Sequence, residues 1–487
     1  MNFLGLLITI VAFTSLSTIS HLSSSLTLGV HFFSTTTATQ AASDSKLAEV
    51  RRDDQNARNA RGVMTRLSAE EHMRRASIYH TNRAFAEARE HWQALINYYP
   101  EHPRVPEAVF GIGRSHFQSR NYAEAFQNYD KLARDYSSTK EGREGLNFSA
   151  AALLRMGRTS EAADRYLDYI NRFPSGERVE TAHLNAIDTL REAGRNREAA
   201  EWAARTRQRF TGTPTETNAI FGQLRLEVAE GNWNQAVGTA DELLRRSFPR
   251  SVATTSSEVM YLKAYSLERA GRKDQAINTY LSIPGGINSY YGWLATDRLS
   301  GLVDAAKRTA VNERLARVST ESSNVASQYP APYRASIISA SRKRGLDPRF
   351  ILAIIKQESV FKPTAKSPAG ARGLLQLTID AAHKYAPGAG ITALNENQLY
   401  QPDTSIVVGS EYLRELYSMF PNMHEAVAAS YNGGEDNVAR WVKRAKHKDA
   451  GVFTSEVGFD ETKNYVQKVL NNYRVYQQLY NHDLTRR

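Results

Sequence analysis

The chain has 487 residues, more than one hydrophobic core serves, so two or three domains are expected. Hydrophobic residues are 41% and charged residues 23%, as in globular proteins, and a net charge of +11 favours anionic partners: nucleic acid, a membrane surface or an acidic cell-wall polymer. The absence of cysteine excludes disulfides, thiol nucleophiles, cysteine metal sites and a cysteine-linked lipid anchor, and the twelve scattered histidines form no compact ligand cluster, so no cofactor or metal is expected.

Residues 1–42 contain no Asp, Glu, Lys or Arg. An apolar run from Phe3 to Phe13 gives way to Ser and Thr up to Ala41-Ala42. This pattern predicts a signal peptide over 1–42. The competing reading is an uncleaved tether, although the run is short for a full span. Either way the body of the protein is expected outside the cytoplasm, in the periplasm. A polar segment fills 43–63.

An internal period follows. Glu or Gln precedes Ala at Glu87-Ala88, Glu124-Ala125, Glu161-Ala162, Glu198-Ala199, Gln235-Ala236 and Gln275-Ala276, so the alanines step by 37, 37, 37, 37 and 40. Each unit reads as a helix pair with a Gly or Asn turn, and the second helix often stops at Pro, as at Tyr99-Pro100 and Phe173-Pro174. Small residues at crossings and aromatics between pairs suit a stacked solenoid. The array, over 64–284, looks like tetratricopeptide-type repeats and offers a curved surface for a polymer or a cell-wall protein partner. Most of its aromatics (Trp92, Tyr122, Tyr129, Trp202, Trp233) are expected in the core. A helical linker is placed at 285–329.

From residue 330 the composition changes. Asp347-Pro348 is a helix start: Asp caps free amides and Pro fits the first turn. The helix is expected over Arg349–Ser359, with Phe350, Ile351, Ile354 and Ile355 on one face. Glu358 falls on that buried face at the C-terminal end. Desolvation and the negative end of the helix dipole both favour its neutral form. A free Glu titrates near about 4.3, so staying protonated at neutral pH needs roughly 2.7 kcal/mol. That describes a general acid; an ordinary helix-end Glu paired with Lys356 or Lys362 is the alternative.

Further on, Gly370-Ala371-Arg372-Gly373-Leu374-Leu375-Gln376 supplies glycines for a tight turn and an amide that bonds sugars. An Ala-rich helix over Glu425–Ser430 runs into Tyr431-Asn432-Gly433-Gly434, where the glycines are expected to hold a loop open.

Together with Gln357-Glu358-Ser359 and Glu461-Thr462-Lys463-Asn464-Tyr465-Val466, these blocks stand in the order found in soluble lytic transglycosylases. The resemblance covers about residues 330–480, within a domain expected over 330–487, and that family shares the lysozyme-like fold of goose-type lysozyme. The resemblance implies a mainly α chain: a helical repeat solenoid, a helical linker, and a lysozyme-like α domain with a small β element. It implies Glu358 as catalytic acid/base, with Ser359, Gln376, Tyr431 and Asn432 at the sugar subsites. Tyr465 would bond near the catalytic carboxyl, and Glu461 would brace the last helix. Leu375 and Ser430 stand where the family usually has Met and Ala.

The implied activity is non-hydrolytic cleavage between N-acetylmuramic acid and N-acetylglucosamine, leaving 1,6-anhydro ends, in cell-wall turnover. A muramidase that admits water is the nearest rival. It would keep the same fold and acid; a two-carboxylate glycosidase would need a second acid, for which Asp380, Glu396, Asp403, Glu435 and Asp436 are candidates, none in a recognisable motif. A sugar-binding scaffold without activity is another reading. Nucleic-acid binding has no supporting motif.

Overall fold

The computed structural model describes residues 45–59, 62, 64–303, 307–367 and 369–487. The segment expected to direct export lies outside the described residues. The chain forms two compact units, one ending at Ala193 and one running from Gly194 to Arg487.

The first unit opens with a helix over 45–56, followed by seven repeat helices from Ala69–Thr81 to Val179–Glu192. The second opens with five more, Asn196–Arg209, Pro214–Glu230, Trp233–Leu244, Ser256–Arg269 and Lys273–Ser282. The period detected in the sequence has a geometric meaning. Each alanine of the Glu/Gln-Ala motif is the fourth residue of its helix, and all six are fully buried. Only a methyl-sized side chain fits where paired helices cross. Gly111 marks the same constraint more sharply, since a Cβ there would lie 2.5 Å from the Trp92 indole.

The turn inside each pair repeats too. Arg83, Arg120, Gly157, Gly194, Gly231 and Gly271 all have φ between 60° and 77°, at the same spacings as the alanines. The first two repeats thus place arginine where the left-handed backbone favours glycine. Polar bonds at a separation of 34 or 35 residues link neighbouring pairs, among them Arg104–Glu70, Arg178–Glu144 and Arg207–Glu242.

In the second unit the repeat helices lead into the helices Tyr290–Leu302 and Arg308–Asn324. The C-terminal part is built around Pro348–Ser359, which packs along the long final helix Asp460–Leu479. Phe350 to Ile355 are all at most 1% exposed. The small β element reduces, among the described residues, to isolated bridges such as Lys366 with Arg372 and Arg372 with Leu377. The turn there is too tight to extend a ladder.

Buried polar bonds tie the repeat helices of this unit to its C-terminal helices. Glu456 accepts from Arg225 at 3.3 Å and from Arg444 at 2.8 Å. Tyr261 donates to Asp449 at 3.0 Å, and the Tyr290 and Thr454 hydroxyls lie 2.9 Å apart.

Candidate active site

The helix that carries Glu358 begins as its sequence dictates. Asp347 accepts from the Arg349 amide at 2.9 Å, and Tyr473 donates to the same carboxylate at 2.9 Å. With its start pinned and its apolar face sealed, the helix delivers Glu358 in its last turn. The backbone then leaves the helix through Val360 (φ 48°) and Phe361 (φ 63°). Left-handed non-glycine residues cost free energy and cluster at functional sites. Gln376 (φ 46°), on the facing turn, is a third. Val360 is 62% exposed, so its strain brings no core packing in return.

Glu358 keeps an opening to solvent while protein atoms crowd it from nearly every side. That crowding pushes its pKa up to about 7, and the nearby Glu461 carboxylate adds to the rise. Tyr465 works in the other direction, donating its hydroxyl to Glu358 Oε1 at 2.6 Å. The carboxyl is therefore poised between its two protonation states near neutrality. This is what a group that first gives and then takes a proton needs.

Among the other sequence-selected residues, Glu461 and Tyr431 lie close enough to interact electrostatically with Glu358. Gln376 donates both amide protons to backbone carbonyls, Gly373 at 2.8 Å and Ala365 at 3.0 Å, and so braces the turn. Gly373 is required there, since its φ is 79° and a Cβ would sit 2.0 Å from the Leu399 carbonyl oxygen. Tyr431 donates to the Leu375 carbonyl at 2.6 Å, and its ring packs 5.1 Å from Tyr412. Ser359 is 5% exposed and donates back to Ile355, so its hydroxyl turns into its own helix. Leu375 and Ser430 are both fully buried and belong to the core behind the site.

One expectation is corrected. Tyr431, Asn432 and Gly433 do not form an open loop; they are the last turn of the helix His424–Gly433. Asn432 accepts from Thr462 at 2.6 Å, which holds that turn. Gly433 lets Thr462 approach, since a Cβ would lie 2.9 Å from its hydroxyl, and Gly434 (φ 84°) ends the helix.

None of the five candidate second carboxylates is among the groups that raise the Glu358 pKa. Glu396 pairs with Arg372 at 2.5 Å, Asp403 accepts from Ser336, and Glu435 lies 3.9 Å from Lys384. The carboxyl that Glu358 feels is Glu461. Its spacing from Tyr465, four residues on one helix, puts both on the same face and was the available signal. Thr462 and Tyr412, which contact Asn432 and Tyr431, carried no distinguishing pattern in the sequence.

Residues 335–453 match the family described as Transglycosylase SLT domain, and 72–138 and 258–284 match families described as Tetratricopeptide repeat. Two curated relatives are named soluble lytic murein transglycosylase. The Salmonella typhimurium protein is 26% identical over 58% of this chain and 41% of its own length. The Escherichia coli K12 protein is 31% identical over 29% of this chain and 22% of its own. The chain thus spans less than half the length of either relative. An inactive mutant of the lytic transglycosylase Slt from Pseudomonas aeruginosa has a similar solved structure, with a TM-score of 0.50 and 19% identity, covering 90% of this chain and 86% of that one. At that identity the likeness shows a common fold.

Proposed function

We propose that the chain is a lytic transglycosylase that cuts peptidoglycan glycan strands, with Glu358 as its single acid/base. The observation that carries this reading is the crowded carboxyl with a pKa near 7, held by Tyr465. The match to the Transglycosylase SLT domain and the names of the two relatives supply the substrate class.

Protonated Glu358 gives its proton to the oxygen bridging N-acetylmuramic acid and N-acetylglucosamine, and the bond to muramic acid carbon 1 breaks. The 2-acetamido group supports the positive charge that develops there. Glu358, now a carboxylate, takes the proton from the 6-hydroxyl of the same sugar, whose oxygen closes on carbon 1. The product is a 1,6-anhydro ring, and the enzyme regains its proton. Attack within one ring carries a large effective molarity and needs no positioned water. Ser359, Gln376, Tyr431 and Asn432 border the sugar subsites in this reading, burial keeps Glu358 protonated with a smaller contribution from Glu461, and Glu461 braces the last helix.

The repeat array over 64–284 guides the polymer or a protein partner, 285–329 links it, and 330–487 holds the chemistry. The setting is cell-wall turnover in the periplasm, reached through the N-terminal segment. No helix among the described residues is long and apolar enough to cross a membrane.

The hydrolytic alternative draws on one observation, the Glu461 carboxylate acting on Glu358, which would serve as the second carboxylate of a muramidase. Mass spectrometry of digested sacculi separates the readings. Anhydro-muramic ends support the lyase, and reducing ends, one water heavier, support the muramidase. Sacculus clearing that survives Glu358→Gln would overturn both.

A further inference from the structure

Tyr465, the hydrogen-bond donor to Glu358, stands on the first turns of the final helix, and those turns are anchored from outside the catalytic region. Lys463 is 6% exposed, and its ammonium group has three donors. They meet Glu258 Oε1 at 3.1 Å, the Ala253 carbonyl at 3.1 Å and the Ser455 carbonyl at 3.5 Å. The Phe221 ring lies 5.0 Å from the ammonium. Phe221, Ala253 and Glu258 all belong to the repeat part of this unit.

Glu258 is itself held firmly. It is 1% exposed, its other carboxylate oxygen accepts from Thr254 at 2.9 Å, and its amide donates to the Thr255 cap at 3.2 Å. Lys463 and Tyr465 are two residues apart, about 200° around a helix, so a tether on one side sets what the other side presents. Thr462, the residue before Lys463, donates to Asn432.

We infer that Glu258 is a positioning residue for Glu358: by pinning Lys463 it fixes the rotation of the Asp460–Leu479 helix, and so keeps the Tyr465 hydroxyl on the catalytic carboxyl. This rests on the proposed role of Glu358. The groups facing that carboxyl are Tyr465 and Glu461 from the final helix and Tyr431 from His424–Gly433. Among them Tyr465 is the one that favours the ionised form. If its hydroxyl swings away, Glu358 binds its proton more tightly. The activity lost on raising the pH then disappears at a higher pH than before.

The test is a pH–rate profile of the full chain on soluble peptidoglycan fragments, for wild type, Glu258→Gln, Glu258→Asp and Tyr465→Phe. Glu258→Gln is expected to lower kcat about ten- to a hundredfold, the scale of a misplacement of about 1 Å. KM should stay within about twofold, and the alkaline limb should move up by roughly half a pH unit. Tyr465→Phe should move the same limb, and adding Glu258→Gln to it should change little further. Glu258→Asp, which keeps the charge, should recover most of the rate.

If the unpaired lysine prevents Glu258→Gln from folding, a Glu258→Met, Lys463→Met double variant removes both charges and keeps the volume. It should fold and show the same upward limb. A folded variant of either kind with an unmoved limb and kcat within about twofold of wild type overturns the inference. Loss of activity in Glu358→Gln alongside that result leaves the proposed function standing, whereas activity retained in Glu358→Gln removes its premise.

Discussion

Replacing Glu358 by Gln should make the folded protein more stable, and only above mildly acidic pH. An ordinary Glu titrates near 4.5 and this one near 7. Between those values the folded state keeps a proton that the unfolded chain has released, so wild-type stability falls as pH rises through that window. The gap corresponds to about 3.4 kcal/mol once both states have ionised. Because the side chain keeps some contact with solvent, about 2–3 kcal/mol is the expected fraction. Gln has nearly the same shape, accepts the Tyr465 bond and stays neutral at every pH. The assay is urea unfolding of both proteins at about pH 4 and about pH 8.5, comparing midpoints at equal slopes. Subtracting the two pH values cancels any packing difference between Glu and Gln. The variant should gain about 2–3 kcal/mol on wild type between acid and alkali. A difference that does not change with pH would show that Glu358 ionises as freely as an exposed residue, and the acid/base reading would fall with it.

Other outcomes follow from the same geometry. Arg120→Gly should stabilise the array by about 1 kcal/mol, because Arg120 occupies the left-handed position (φ 62°) that later repeats fill with glycine, and a denaturation midpoint below wild type would refute this. Glu456→Gln should destabilise by about 3–5 kcal/mol, since the carboxylate is 1% exposed between Arg225 and Arg444, and an unchanged urea midpoint would show the pair to be expendable. Residues 194–487 hold 39 Lys and Arg against 29 Asp and Glu, nearly all of the chain's surplus charge. Sacculus binding in a pull-down should therefore weaken as salt rises from about 0.01 M to about 1 M, where the Debye length shrinks from about 30 Å to about 3 Å. Binding that ignores salt would assign the surplus to some other purpose.

Much of this molecule is written locally. The 37-residue step of buried alanines announces helix pairs because a crossing admits one side-chain size, whatever lies further along the chain. Asp347-Pro348 and the stripe from Phe350 to Ile355 place Glu358 on the buried face at the end of its helix, since capping and periodicity act within a few residues. Distant relations were not legible in this way. That Tyr431, Asn432 and Gly433 stay helical depends on Thr462, thirty residues away, supplying the bond that an open turn would have lacked. That Glu461, and none of five other acids, is the carboxyl Glu358 feels depends on how the final helix packs against Pro348–Ser359. The tie from Glu258 to Lys463 spans 205 residues. A local pattern can say that a carboxyl will be buried, because burial follows from periodicity. Which groups share that burial, and so where its proton goes, is decided by contacts between segments whose order in the chain carries no trace of their distance in space.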